Sequence, residues 1–276
     1  MKRTICCSLA IVLLLIGSGL AEAAEKTLHV EGSTTVGPIA DAFAEAFKKM
    51  YPDVTITVNK SGSGTGAAAL VDSRCDIATM SRAMKEKEYK DAVGKGVFPF
   101  GHVVAMDGVC VIVHPSNPVS ELTSAQVQDI YLGKVTNWKQ LGGPDMKIIP
   151  VSRDTASGTY DTFDHFVMKQ QKMAGHVEYV STNPQAFARV KTTQGAIAYV
   201  GFGFVRRGVK AVNLDGVVPT RDTILSGQYP VSRPLFMYTN GYPPLGSIVQ
   251  KFVSFHLTEK GQALVEEAGF VPVTRY

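Results

Sequence analysis

The sequence lacks the residue patterns that mark most enzymes and nucleic-acid-binding proteins. Its six histidines form no H-E-x-x-H pair, no G-x-S-x-G motif is present, and no Gly-Lys-Ser/Thr follows its glycine-rich run. The formal net charge is only +4 over 276 residues, which excludes the strongly basic surface typical of nucleic-acid binding. With 45% hydrophobic residues, the chain is expected to form one large globular domain or two moderate lobes.

The long apolar run of the chain is confined to its N-terminus. A basic start, "MKR", precedes "ICCSLAIVLLLIGSGL", and "AEA" at positions 21–23 supplies the small residues of a cleavage site. This pattern predicts a secretory signal peptide over residues 1–23, cut before Ala24. A membrane anchor is the alternative, but the run is short and the small residues follow at once. We therefore expect an exported soluble protein, without a lipid-carrying cysteine at Cys6 or Cys7.

Cysteine is scarce, and only Cys75 and Cys110 remain after the predicted cleavage. An exported compartment permits a disulfide between them. Two buried free thiols are the alternative, because both residues lie beside apolar runs. The spacing alone does not decide between these states.

Strand-like and helix-like runs alternate along the chain. "TLHVEG" leads through "STTVG" to a predicted helix over 38–50, and "VTITV" leads through "NKSGSGTG" to one over 67–73. "KIIPV" leads through "SRDTASGT" to a predicted helix over 160–170, and a further helix is expected over 126–135. This order predicts an α/β protein with mainly parallel sheets.

Several of the strand-to-helix junctions are rich in Ser, Thr and Gly. At a helix N-terminus, unpaired N–H groups and a partial positive charge favour anions, and hydroxyls add donors. Helix capping by Ser or Thr is the simpler explanation of any single junction. The recurrence of the junctions, together with Arg153, whose planar guanidinium matches oxyanions, favours an anion-binding cradle.

Five stretches together resemble the periplasmic phosphate-binding proteins of Pst-type ABC transporters. They are "EGSTTVGPIADAF", "SGSGTG", "CDIATMSR", "IYLGKVTNWKQLGG" and "SRDTASGT". The resemblance covers most of the mature chain in the same order. It implies the two-lobed, type II periplasmic-binding-protein fold, in which two α/β lobes close on the ligand about a hinge. We expect lobe one over 25–107 plus 234–276 and lobe two over 108–233, with "DGVCVIV" and "RPLFMYT" as the crossing segments.

The resemblance also implies a set of phosphate-binding residues. Carried over by position, the set is Thr34, Thr35, Ser63, Ser81, Arg82, Arg153, Ser157, Gly158 and Thr159. No metal, organic cofactor or catalytic residue is implied.

Two positions depart from the best-studied branch of the family. There, an Asp follows the serine equivalent to Ser81, accepts the proton of phosphate and repels sulfate; this chain has Arg82. An acidic residue often stands two positions after the family arginine, where this chain has Thr155, so Asp154 becomes a candidate partner of Arg153. The resemblance therefore supports anion binding more strongly than it supports selectivity for phosphate.

The sequence thus predicts a monomeric periplasmic receptor that captures inorganic phosphate and delivers it to an ABC permease. A receptor for another oxyanion, such as sulfate, arsenate, molybdate or tungstate, is the first alternative. An exported hydrolase using Ser157 or Ser63 is the second alternative.

Overall fold

A computed structural model gives the fold of residues 26–274. The predicted signal peptide, and with it Cys6 and Cys7, lies outside the described residues. Between residues 26 and 274, no helix has the length and apolar content needed to cross a membrane.

Strands and helices alternate over most of the chain, as the sequence predicts. The strands are β1 Lys26–Gly32, β2 Val54–Lys60, β3 Ile77–Met80, β4 Pro99–Val113, β5 Glu121–Leu122, β6 Ile149–Arg153, β7 Glu178–Val180, β8 Ala196–Gly201, β9 Lys210–Ala211, β10 Asn213–Leu214 and β11 Ser232–Asn240. The helices are α1 Gly37–Met50, α2 Ser63–Val71, α3 Glu86–Gly94, α4 Ser124–Tyr131, α5 Gly158–Phe163, α6 Asn183–Thr192, α7 Arg221–Leu225, α8 Ile248–Ser254 and α9 Glu259–Glu267.

One sheet runs through the molecule in the order β2-β1-β3-β11-β4-β8-β6-β7, with β9 also paired to β4. Strands β1, β2 and β3 are mutually parallel, as are β6, β7 and β8, whereas β11 and β4 run antiparallel to their neighbours. We call β2, β1, β3 and β11 the β1 side of the sheet, and β8, β6 and β7 its β6 side. The parallel strands of each side therefore direct their carboxyl ends to one edge, where ligands of open α/β sheets bind.

Strand β4 joins the two sides of the sheet. Its residues 99–108 pair with β11, and its last five residues, 109–113, pair with β8. The exchange of partners falls between Gly108 and Val109, at the beginning of the predicted crossing segment "DGVCVIV". A single continuous strand thus belongs to both halves of the molecule.

Three apolar clusters cover the faces of this sheet. The first packs Phe43 and Phe47 of α1 against Phe252 and Phe255, with edge-to-face rings. The second surrounds Trp138 on the β6 side, and the third lies under α2 and α3 on the β1 side. Each cluster buries apolar side chains between helices and sheet, and this burial stabilises the packing of the helices.

Of the four helices predicted above, three differ from their predicted limits by two residues or more, each at a glycine or a hydroxyl residue. Helix α2 begins at Ser63, four residues earlier than predicted, after Gly62 at φ +113°. Helix α4 ends at Tyr131, because Gly133 turns the chain at φ +76°. The predicted helix over 160–170 begins at Gly158, and residues 164–168 continue it as a π-helical turn. Ser63 and Gly158 are thereby placed in first helical turns.

Both cysteines of the described chain are free thiols. Cys110 lies in the cluster around Trp138, whereas Cys75 packs against the cluster under α2 and α3. Of the two states left open by the sequence, the structure therefore has the free thiols. Burial raises the pKa of Cys75 to about 12 and that of Cys110 well above its ordinary value.

We expect both thiols of the mature protein to react slowly with a thiol reagent at pH 8, because only the thiolate is nucleophilic. Denaturation without reductant should release two reactive thiols per chain, and a Cys75→Ser variant should release one. A colorimetric thiol assay makes the measurement. No thiol after denaturation would show a disulfide instead.

Candidate functional site

The predicted site residues lie at the carboxyl ends of four strands, and all are buried. Thr34 and Thr35 follow β1, Ser63 follows β2, Ser81 and Arg82 follow β3, and Arg153 ends β6, with Ser157, Gly158 and Thr159 in the loop and helix after it. The parallel strands of each side end at one edge of the sheet. Residues that follow β1 therefore meet residues that follow β6 at this edge.

Ser157 caps α5, which is the simpler role that the sequence also allowed, and Ser33 holds the turn that precedes α1. Ser33 Oγ accepts hydrogen bonds from Thr35 N at 3.1 Å and Val36 N at 3.2 Å. Ser157 Oγ accepts from Thr159 N at 3.2 Å and Tyr160 N at 3.3 Å. These serines organise the starts of α1 and α5, so the threonine hydroxyls beside them remain available for other partners.

The two sides of the sheet meet through Thr35 and Thr159. Their hydroxyl oxygens are 3.0 Å apart, and both side chains are buried. Gly158 allows the close approach: a Cβ built on it would lie 2.7 Å from Ser81 Oγ and nearer still to Ser63 Oγ. A glycine is therefore required where α5 faces the hydroxyls of the β1 side.

Arg153 carries a buried positive charge with one unpaired nitrogen. Its Nε donates to the carbonyl of Val180 at 3.2 Å, and its Nη2 donates to the carbonyl of Ser181 at 2.5 Å and to Thr34 Oγ1 at 3.1 Å. Its Nη1 is buried and has no hydrogen-bond partner. Burial lowers the pKa of Arg153 to about 10, so the guanidinium still carries its charge at neutral pH.

Asp154 does not serve as the partner of Arg153 that the sequence suggested. Its Oδ1 accepts the backbone N–H of Ala156 at 3.1 Å and thereby shapes the loop before α5. Among residues 26–274, no hydrogen bond or ion pair joins Asp154 to Arg153.

Asn183 contacts the predicted hydroxyls but was missed by the sequence analysis. Its Nδ2 donates to Thr35 Oγ1 at 2.9 Å and to Thr34 Oγ1 at 3.3 Å, while its Oδ1 accepts from Gly201 N. Asn183 opens α6 after Thr182, which is the helix cap, so its side chain is free to reach the site.

A buried ion pair behind the hydroxyls was also missed. Arg233 of β11 donates through Nε and Nη2 to Asp107 Oδ2 of β4, at 2.9 and 2.7 Å. The same Nη2 donates to Thr159 Oγ1 at 3.0 Å. A lone arginine in the apolar run "RPLFMYT" was the available signal, because a charged residue in a buried strand needs a partner.

Arg82 is directed to carboxylates on both sides of the cleft. Its Nε donates to Asp161 of α5 at 2.6 Å, and its Nη1 and Nη2 donate to Glu88 at 2.8 and 2.7 Å. Lys85 Nζ adds a bond of 2.9 Å to Asp161. We call Arg82, Lys85, Glu88 and Asp161 the cleft ion-pair cluster; an open pocket of about 800 Å³ lies against it. The contact predicted between Arg82 and the anion stays a prediction.

The geometry gives no support to serine hydrolysis. Ser157 Oγ is occupied as a helix cap, and Ser63 Oγ accepts the N–H of Ser81 at 3.0 Å. In the part of the chain that the structure describes, no histidine hydrogen-bonds to either serine, and no three acidic, His or Cys residues converge as metal ligands.

The sequence and the fold are both similar to those of known phosphate-binding proteins. Residues 19–260 match the PBP superfamily domain. The phosphate-binding protein PstS of Staphylococcus epidermidis is 34% identical over 267 residues, which cover 92% of this chain and 81% of the relative. PstS of Bacillus subtilis is 31% identical over 255 residues, covering 92% and 83%.

Solved structures agree with these relatives. A substrate-binding protein from Clostridium perfringens with bound phosphate is 36% identical at a TM-score of 0.83, covering 90% of this chain and all of that one. An ABC-type phosphate transport receptor from Vibrio cholerae is 31% identical at a TM-score of 0.72, covering 88% and 99%.

These likenesses confirm the predicted two-lobed, type II periplasmic-binding-protein fold. Proteins of this family take part in transport and are not enzymes. The chain belongs to the PstS family of phosphate-binding proteins, within the PBP superfamily.

Proposed function

We propose that this protein captures inorganic phosphate between its two lobes, outside the cytoplasmic membrane, and delivers it to the permease of an ABC transporter. The observation that carries the proposal is the buried Nη1 of Arg153, a charged donor without an acceptor. Relatives named as phosphate-binding proteins, and a neighbour with bound phosphate, support the choice of ligand.

The hydroxyls around Arg153 add to this excess of donors. Thr34 Oγ1 already accepts from Arg153 and Asn183, so its own proton points to no acceptor in the described hydrogen bonds. One of the two hydroxyls of Thr35 and Thr159 donates its proton to the oxygen of the other. The hydroxyl that accepts this bond keeps its own proton available for a ligand. A buried donor without a partner is costly, so these donors favour a ligand that is negatively charged and rich in acceptors. A tetrahedral oxyanion has both properties.

We further propose the lobe limits expected from the sequence, 25–107 plus 234–276 and 108–233. The exchange of partners along β4 at Gly108 and Val109 supports this division. A periplasmic, monomeric receptor is part of the same proposal, supported by the signal-peptide pattern and by the family. The expected partners are phosphate and the permease subunits.

Isothermal titration of the mature protein with phosphate, compared with an Arg153→Lys variant, tests the function. Lysine keeps the charge but cannot hold the loop carbonyls and contact the anion together, so phosphate affinity should fall about tenfold or more. Arg74→Lys is the matched control, because Arg74 is exposed and far from these contacts; its affinity should equal that of the wild type. Wild-type binding no tighter than about 1 mM would refute the proposal.

The cleft ion-pair cluster should favour the closed form. We expect Asp161→Asn to weaken phosphate binding about threefold to tenfold, because Arg82 and Lys85 lose their partner across the cleft. About 1 M salt should remove only the contribution of the exposed Lys85, because the pair of Arg82 and Asp161 is largely buried and therefore weakly screened. Asp91→Asn is the control: it removes an exposed ion pair with Lys87 within α3. Equal affinities of the Asp161 variant and the wild type would show that the cluster does not stabilise closure.

A further inference from the structure

The pocket beside the cleft ion-pair cluster is formed by both sides of the sheet together. Lys85, which follows β3, and Pro234 of β11 line it from the β1 side. Asp164 and Phe166, which follow α5, line it from the β6 side. Its volume of about 800 Å³ is sufficient for a small organic molecule. We call it the cluster pocket.

The cluster pocket is separate from the proposed anion site. Neither Arg153 nor any hydroxyl residue of the predicted site lines it, and of the predicted site residues in the described chain only Arg82 does. The guanidinium of Arg82 is already held by Glu88 and Asp161. A molecule in the cluster pocket would therefore lie beside the anion without replacing it.

The lysine and arginine side chains that line the cluster pocket already have partners. Arg82 and Lys85 are held within the cleft ion-pair cluster, and Arg233 is held by its own buried carboxylate. By contrast, among residues 26–274 the carboxylate of Asp164 makes no hydrogen bond and no ion pair. Burial, and then the neighbouring carboxylate of the cluster, raise the pKa of Asp164, because its negative charge is incompletely compensated. The pocket therefore favours a positively charged ligand.

The backbone after α5 shapes the wall that contains Asp164. Residues 164–168 form a π-helical turn, a feature that often marks functional sites. Lys169 and Gln170 follow at φ +51° and +60°, and they are two of the four non-glycine residues with positive φ in the described chain. Such conformations are costly and persist where the surrounding structure requires them. Phe166 of this turn is 48% exposed and offers an apolar surface beside Asp164.

We propose that the cluster pocket is a second binding site, which takes a small organic cation. Asp164 binds the ammonium group of this ligand, and Phe166 contacts its apolar body. A ligand that touches both walls binds best when the two sides of the sheet lie together, so it strengthens phosphate binding. This coupling rests on the proposed function, whereas the site itself does not.

Phenethylammonium, an aromatic ring with a primary ammonium group, is the probe, and 2-phenylethanol is its uncharged match. Protein-observed NMR titrations of the mature, phosphate-saturated protein at pH 8 and constant ionic strength measure the binding of both. We expect a dissociation constant of about 10 mM or below for the cation, a moderate efficiency for a ligand of this size. The alcohol should bind at least about threefold more weakly, because it cannot form the ion pair.

Two variants test the assigned contacts. Asp164→Asn should make the cation and the alcohol bind equally, and Phe166→Ala should weaken both about threefold. Asp53→Asn is the matched control, because Asp53 is exposed before β2, at the opposite end of the strands; its affinity for the cation should equal that of the wild type. Without the probe, all three variants should bind phosphate as the wild type does, which also shows that they are folded.

The coupling is measured in both directions. Saturation with phenethylammonium should lower the dissociation constant of phosphate about threefold, and saturation with phosphate should lower that of the probe by the same factor. The inference is overturned by a probe dissociation constant above about 100 mM, by an alcohol that binds as tightly as the cation, or by unchanged phosphate affinity with the probe bound. A wild type that fails to bind phosphate in the absence of the probe would instead refute the proposed function.

Discussion

The buried guanidinium of Arg153 is the constraint on which the rest of the site depends. Removing such a charge from water is costly, and the protein offsets part of the cost with the carbonyls of Val180 and Ser181 and the hydroxyl of Thr34. One nitrogen remains without an acceptor. Thr34 follows β1 and Arg153 ends β6. The hydrogen bond between them therefore forms only when the two sides of the sheet lie together. Under the proposed function, the unpaired nitrogen is the donor that the anionic ligand would use.

The charge of a second buried arginine, Arg233, is balanced by a carboxylate of the protein itself. Arg233 is neutralised within the protein by Asp107, and both belong to the antiparallel strands at the junction of the two sides. Its remaining bond reaches Thr159 and helps to position that hydroxyl. Arg82 is likewise satisfied by Glu88 and Asp161. Three arginines near one cleft therefore differ in role, according to whether a carboxylate lies within reach.

The sequence could predict the local features and the family but not the contacts between distant segments. The alternation of strands and helices, the hydroxyl-rich junctions and Arg153 could be found because each signal lies within a dozen residues. The bond between Thr35 and Thr159 joins residues 124 positions apart. Asn183 and Arg233 carry no local motif, and their role depends on which oxygens the fold brings to them. The free state of Cys75 and Cys110 had to come from the structure as well, since it depends on their separation into two apolar clusters.

Gly158 has a consequence for how this scaffold can change. Its missing side chain lets the start of α5 approach Ser63 and Ser81 of the β1 side closely. An added methyl group would overlap both serine hydroxyls, so either the serine side chains or the whole start of α5 would have to move away. Any change of residue at position 158 is therefore tied to a change at Ser63 or Ser81, and the three positions can vary only together.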